Sequence, residues 1–334
     1  MVKSEMDKLL FKAIRSSGLT KYIEVAKKDM LIEYIVSFVN DQEYFENYFV
    51  MINTLYKFRD ELEDNEKLIL EKHESMLAKL KQKCLNNELD NTERIMYALI
   101  LASSLVNNCC INLSDCSEYI SNVYNKGHIY YTYEEVFLII ANTLNILNKE
   151  YNSNVALVFD ENRNNICSYR YEDGRKEIVI GSILKYVINR LANKENLTYY
   201  SIVYYVVFAI MHEFYHSIQF PYGVQNSFNL DNPTYRKEGL VALFNKDFYN
   251  KFHNNFSFEI DADEFAFSNI ESYISELMDD KKKKKSEFRV KCFRRISEGK
   301  LKISQKKFAE KLNQEYENVD EKIEKILKVG DNNE

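Results

Sequence analysis

The chain has 334 residues, a formal net charge of −6 and 46% hydrophobic residues, which is enough for two or three domains with a sizeable core. Its six cysteines include no C-x-x-C pair, so neither a zinc ribbon nor a disulfide framework is predicted, and we expect reduced thiols in a cytoplasmic protein. Eight glycines and two prolines leave few helix breakers, which favours a mostly helical protein of the α+β class.

Residues 1–150 are predicted to form a helical N-terminal domain. Apolar residues recur at helical spacing in several segments, among them 66–83, 95–106 and 133–147. The uncharged run at 95–114 is interrupted by Ser and Asn, and the run at 196–211 is shorter than a bilayer span, so no membrane span is expected. This domain is either a recognition or regulatory module or a structural scaffold, and the sequence leaves both open.

Histidines outside the central region carry no sign of a binding site. His73 and His128 have no neighbours of the kind that bind metal, and we expect them in core or surface packing.

A small sheet is predicted at the start of a second domain, residues 151–278. The run V-A-L-V-F at 155–159 is a short apolar strand bounded by polar residues. Segments 166–171 and 176–181 read as the two arms of a hairpin, with an Asp-Gly turn near its tip.

The string H-E-F-Y-H at 212–216 is the most informative feature of the chain. On a helix, residues four apart lie on one face, so His212 and His216 can reach one metal ion with Glu213 beside it. Zinc accepts such nitrogen ligands, and an adjacent carboxylate can take a proton from water. The alternative is two histidines on a helix face, satisfied by backbone or water.

A second amphipathic helix, at about 258–267, is expected to supply the third metal ligand. Glu259 and Asp263 are four residues apart and share one face. We expect Glu259 to bind the metal, while Asp263 accepts a hydrogen bond from a ligating imidazole and fixes its tautomer. Asp263 and His253 remain alternative third ligands. Metzincin metallopeptidases extend the H-E-x-x-H motif with a Gly and a third His, and this chain has Gln219 and Tyr222 at those positions. The third ligand is therefore expected from the later helix.

Residues 279–334 are predicted to form a basic, helical C-terminal region. Between 281 and 310 there are thirteen Lys and Arg residues against three Glu. This run could attract nucleic acid, and 303–312 faintly resembles the start of a helix-turn-helix motif. The commoner explanations are a solvated linker and an amphipathic packing helix.

The two helical motifs together resemble the zincin metallopeptidases of the Glu-ligand type, most of all the ImmA/IrrE group. The resemblance rests on H-E-x-x-H at 212–216 and on E-x-x-A-x-x-F-A beginning at Glu259, and it covers about residues 154–277. Tyr215 stands where these families usually have a small residue, and the gap from His216 to Glu259 is longer than theirs. The resemblance implies a zincin-like core, in which a small sheet precedes the two motif helices and an edge strand, here within 166–181, pairs with substrate.

This pattern predicts a zinc-dependent endopeptidase that binds one Zn²⁺ per chain through His212, His216 and Glu259. Glu213 is the predicted general base, and the predicted substrate is an intracellular protein or peptide. A regulatory protein partner is also open. The alternative is a non-catalytic binding protein with the zincin fold that engages a protein or nucleic-acid partner.

Overall fold

The computed structural model describes residues 51–52, 54–106, 119–120, 133–160, 162–182, 199–277 and 303–330. Contacts divide the chain into two compact units, Met1–Asn142 and Thr143–Glu334. The predicted domain boundaries at 150 and 278 stay predictions. Residues 1–50 of the predicted helical N-terminal domain, His128 and the basic residues 281–302 lie outside the described part of the chain.

The described secondary-structure elements of the first unit are all helices. Helix α1 spans Asp64–Asn86, α2 spans Asn91–Val106, and α3, Tyr133–Glu150, begins in this unit and continues into the next. A capping box starts α1, because the Glu63 backbone N–H donates to Glu66 Oε2 at 2.7 Å. His73 is buried among the apolar residues of α1, as expected for core packing.

The second unit contains a mixed sheet of three described strands, β1 (Val155–Asp160), β2 (Cys167–Glu172) and β3 (Arg175–Gly181). The central strand β3 pairs parallel with β1 and antiparallel with β2, which leaves β2 at an edge. Asp173 and Gly174 both have positive φ and form the two-residue turn between β2 and β3, so the predicted Asp-Gly hairpin is confirmed.

Helices make up most of the described residues of the second unit, and the whole described chain confirms the mostly helical α+β class. They are α4 (Tyr199–Gln219), α5 (Pro233–Phe244), α6 (Lys246–Phe252), α7 (Ser257–Leu277) and α8 (Gln305–Gly330). Helix α4 packs along α7 and against β2, which brings the two motif helices and the edge strand together. Among the described residues, no helix is both long and apolar enough to cross a membrane.

The C-terminal helix α8 belongs to the same core as the segment between the two motifs. Its residues Phe308 and Leu312 are buried in a cluster with Phe252 and Phe256. Polar contacts reinforce this packing, since Asn245 Nδ2 donates to Glu315 Oε1 at 2.8 Å. The described part of the basic region is therefore an amphipathic packing helix.

Candidate metal centre

The three predicted ligands converge on one point between α4 and α7. His212 and His216 lie one turn apart on α4, and their Nε2 atoms are 3.1 Å from each other. Glu259, in the first turn of α7, places Oε2 3.1 Å from His212 Nε2 and 3.6 Å from His216 Nε2. Glu259 is only 4% exposed and His216 8%, so these two ligands are shielded from solvent.

These distances fit a tetrahedral zinc site. With Zn–N and Zn–O bonds of about 2.0–2.2 Å, ligand atoms at the corners of a tetrahedron lie roughly 3.3–3.6 Å apart. The triangle formed by the two Nε2 atoms and Glu259 Oε2 has sides of 3.1, 3.1 and 3.6 Å. Three corners are supplied by the protein, so the fourth corner is left for water or substrate.

The outer hydrogen bonds of the two imidazoles decide where their lone pairs point. His212 Nδ1 lies 2.9 Å from Asp263 Oδ1, and His216 Nδ1 lies 2.7 Å from Gln219 Oε1. Both partners are acceptors, so we assign the proton of each neutral ring to Nδ1. Both Nε2 lone pairs then face each other and the carboxylate of Glu259.

Three converging acceptors require a cation between them, either a proton or a metal ion. In the absence of metal, a proton on His212 fills this role. Burial opposes the imidazolium, but hydrogen bonds to Asp263 and Glu259 and the charge of Glu213 raise the pKa of His212 to about 10. Burial likewise disfavours a charged Glu259, yet His216 and His212 hold the pKa of that carboxyl well below its usual range.

The second oxygen of Glu259 is held by two groups from the segment between the motifs. The hydroxyl of Tyr249 donates to Glu259 Oε1 at 2.8 Å, and His253 Nε2 lies 3.1 Å from the same oxygen. Oε1 is therefore occupied by these two groups, whereas Oε2 faces the imidazoles of His212 and His216. His253, an alternative third ligand from the sequence, contacts the ligand Glu259 rather than the histidine pair.

Glu213, the predicted general base, faces the edge strand. Its Oε2 accepts the backbone N–H of Tyr169 in β2 at 2.7 Å, across 44 positions of sequence. The hydroxyl of Tyr169 in turn donates to the Phe220 carbonyl at 2.8 Å, just beyond the end of α4. These two bonds tie the edge strand to the helix that carries Glu213.

The structure thus brings all five predicted site residues together: His212, Glu213, His216, Glu259 and Asp263. A comparison with protein-family profiles, curated proteins and solved structures found no match to this chain. The chemistry of the site therefore rests on its own geometry.

Several contributing residues were not predicted from the sequence. Gln219 contacts His216 from three positions along the same helix, a spacing that was visible in the sequence. No sequence signal separated Tyr249 from other tyrosines between the motifs, such as Tyr222, which is 60% exposed and packs against Tyr171. Glu238 accepts the Ser257 backbone N–H at 2.8 Å and so caps the start of α7, a contact between two helices that spacing does not reveal.

Proposed function

We propose that this protein is a zinc-dependent endopeptidase that hydrolyses peptide bonds of an intracellular protein, with one zinc per chain. The observation that carries the proposal is the convergence of three acceptors, His212 Nε2, His216 Nε2 and Glu259 Oε2, at tetrahedral spacing beside Glu213. The cytoplasmic location expected from the cysteine usage is part of the same proposal.

Each residue has a distinct role in this reaction. His212, His216 and Glu259 would hold zinc, which when bound acidifies water and polarises a carbonyl group. Glu213 accepts the proton of the attacking water and returns it to the leaving amine. The Tyr169 N–H donates to one oxygen of Glu213 and so orients the carboxylate for that transfer.

The edge strand supports a peptide as the substrate. Among the described strands, β2 pairs with β3 alone, and the backbone N–H of Tyr169 in its middle donates to the general base. An extended peptide that pairs with a strand edge is held by backbone hydrogen bonds, which depend little on the sequence of the peptide. A peptide laid along β2 would therefore pass next to Glu213.

Metal content is the first test of the proposal. We expect about one zinc per wild-type chain by inductively coupled plasma mass spectrometry and a loss of it in His216→Ala. A Glu264→Gln variant, altered at an exposed position of the same helix α7, is the matched control and should keep its zinc. If the wild type binds no metal after zinc is offered and the excess removed, the peptidase proposal is wrong.

Glu213→Gln separates an enzyme from a binding protein that merely holds metal. This variant keeps the shape of the side chain but removes the base, so zinc should stay bound while hydrolysis stops. Wild type and variant are incubated with an unfolded peptide mixture, and new termini are counted by mass spectrometry. Equal cleavage by both proteins would exclude Glu213 as the base. Zinc binding with no cleavage by the wild type would favour the non-catalytic alternative.

A further inference from the structure

Gln219 lies beneath the metal centre and contacts both motif helices. It is the last residue of α4, is 6% exposed, and places Oε1 2.7 Å from His216 Nδ1. Its amide nitrogen donates to the Phe258 carbonyl at 2.9 Å, one residue before the ligand Glu259. A single buried side chain therefore joins one ligand to the backbone that carries another.

The hydrogen-bond partners fix the orientation of this amide. The Phe258 carbonyl can only accept, so the NH₂ group of Gln219 must face it and Oε1 must face His216. The same nitrogen lies 3.3 Å from the Tyr235 hydroxyl, which donates to Asp261 Oδ2 at 2.5 Å. A flipped amide would bring the NH₂ group against the Nδ1–H of His216 and the oxygen against a carbonyl.

The ring of His216 is also confined by apolar neighbours. Phe258 packs edge-on against it at 6.0 Å between ring centroids, and Phe220 lies 6.4 Å away. These rings restrict its position but offer no acceptor for Nδ1, which leaves that role to Gln219. The other ligand, His212, has a carboxylate in the same role, Asp263.

We propose that Gln219 is a positioning residue that holds His216 as the Nδ1–H tautomer, with Nε2 directed at the metal centre. The inference rests on the proposed metal-binding function and extends it to a residue outside the two motifs. The two histidines are thereby unequal ligands, because a carboxylate raises the basicity of His212 more than a neutral amide raises that of His216.

The test is nitrogen NMR of the imidazoles, which reports the tautomer directly. The chain has five histidines, so histidine-labelled protein gives a countable spectrum, and His216→Ala assigns the signal of interest. Spectra of metal-free wild type, Gln219→Leu and Gln219→Glu are recorded above neutral pH. Glutamate keeps an oxygen that can accept the Nδ1 proton in either protonation state, whereas leucine keeps none. Gln225→Leu, at an exposed position beyond α4, is the matched control.

We expect the Nδ1–H tautomer of His216 in the wild type, Gln219→Glu and Gln225→Leu, and a mixture of tautomers in Gln219→Leu. Zinc affinity, measured separately by competition with a chelator, should fall about 10- to 100-fold in Gln219→Leu. An unchanged tautomer in Gln219→Leu overturns the proposal, whatever its metal affinity. Because the tautomer is read without metal, a wild type that shows it but binds no zinc would refute the peptidase function and leave the role of Gln219 standing.

Discussion

The two compact units both bury charged side chains, but they balance donors and acceptors differently. In the first, Arg94 donates to Glu135 Oε1 from Nη2 at 2.6 Å, and the Tyr119 hydroxyl lies 3.0 Å from the same oxygen. Two donors, from Arg94 and Tyr119, thus meet one acceptor, Glu135, and the cluster needs no further cation. In the second, His212 and His216 aim acceptors at the carboxylate Glu259. Burial of charge is thus common to both units, whereas a surplus of acceptors marks the metal centre.

The imidazoles of His73 and His212 show the same contrast. Burial lowers the pKa of His73 to about 3, so that this ring stays neutral in the core of the first unit. Burial acts in the same direction on His212, but hydrogen bonds to Asp263 and Glu259 outweigh it and raise the pKa to about 10. The carboxylates around an imidazole, more than its depth, decide whether it attracts a cation.

The largest effect is expected from breaking the buried ion pair between Arg94 and Glu135. Arg94→Met removes the cation from Glu135, whose side chain is 2% exposed, and leaves a buried charge without its counterion. We expect the free energy of unfolding of the first unit to fall by about 3–5 kcal/mol, measured by urea denaturation and hydrogen exchange.

Arg59→Met is the control for that variant. Arg59 pairs with Glu74, and the two side chains are 59% and 38% exposed, so water replaces the lost partner and a much smaller change should result. Equal destabilisation by the two variants would contradict the distinction between buried and exposed pairs.

Zinc binding at the metal centre should stabilise the second unit. Zinc at a hundred times its dissociation constant adds about 2.7 kcal/mol to the free energy of unfolding, because it binds only the folded state. Hydrogen exchange should show this gain in α4 and α7 of the wild type and not in His212→Ala. A similar gain in both proteins would mean that zinc binds elsewhere.

The pH dependence of the first unit should reveal the neutral imidazole. Since the folded pKa of His73 is about 3, lower than the usual 6.5, the unfolded state binds more protons between these values. Stability is therefore full above pH 6.5 and falls by about 1.4 kcal/mol per pH unit below it. The profile of His73→Leu lacks this slope, while carboxylates titrate in both proteins. Parallel profiles would show that His73 does not contribute.

The smallest effect concerns the outer contacts of the metal centre. Tyr249→Phe removes the hydroxyl from Glu259 Oε1 but leaves His253 on that oxygen, so we expect only about a tenfold loss of zinc affinity. Tyr316→Phe, on α8, serves as the control and should bind zinc as the wild type does. A loss of about 100-fold would mean that His253 does not hold the carboxylate without Tyr249.

The sequence predicted the parts of the site that follow local periodicity. Four-residue spacing placed His212 with His216 and Glu259 with Asp263, and an Asp-Gly pair placed the hairpin turn. Such patterns depend on the geometry of one helix or one turn, so they are legible without knowledge of the tertiary structure.

The contacts that surround the ligands were not predictable in this way. Tyr249 and Glu238 meet α7 from other helices, and their partners depend on how α5 and α6 fold back. Gln219 is the intermediate case, since its spacing to His216 was visible but its bond to the Phe258 carbonyl was not. The contacts around the ligands arise from long-range packing, which no short sequence pattern reveals.

The burial of α8 has a practical consequence for anyone who shortens the chain. A fragment that stops at residue 278 would contain every proposed zinc ligand, yet it would lack Phe308 and Leu312 from the aromatic cluster beside α7. Phe256 sits in that cluster, three residues before Glu259. If such a fragment bound no metal, the cause would be its damaged core, and the result would not test the proposed ligands.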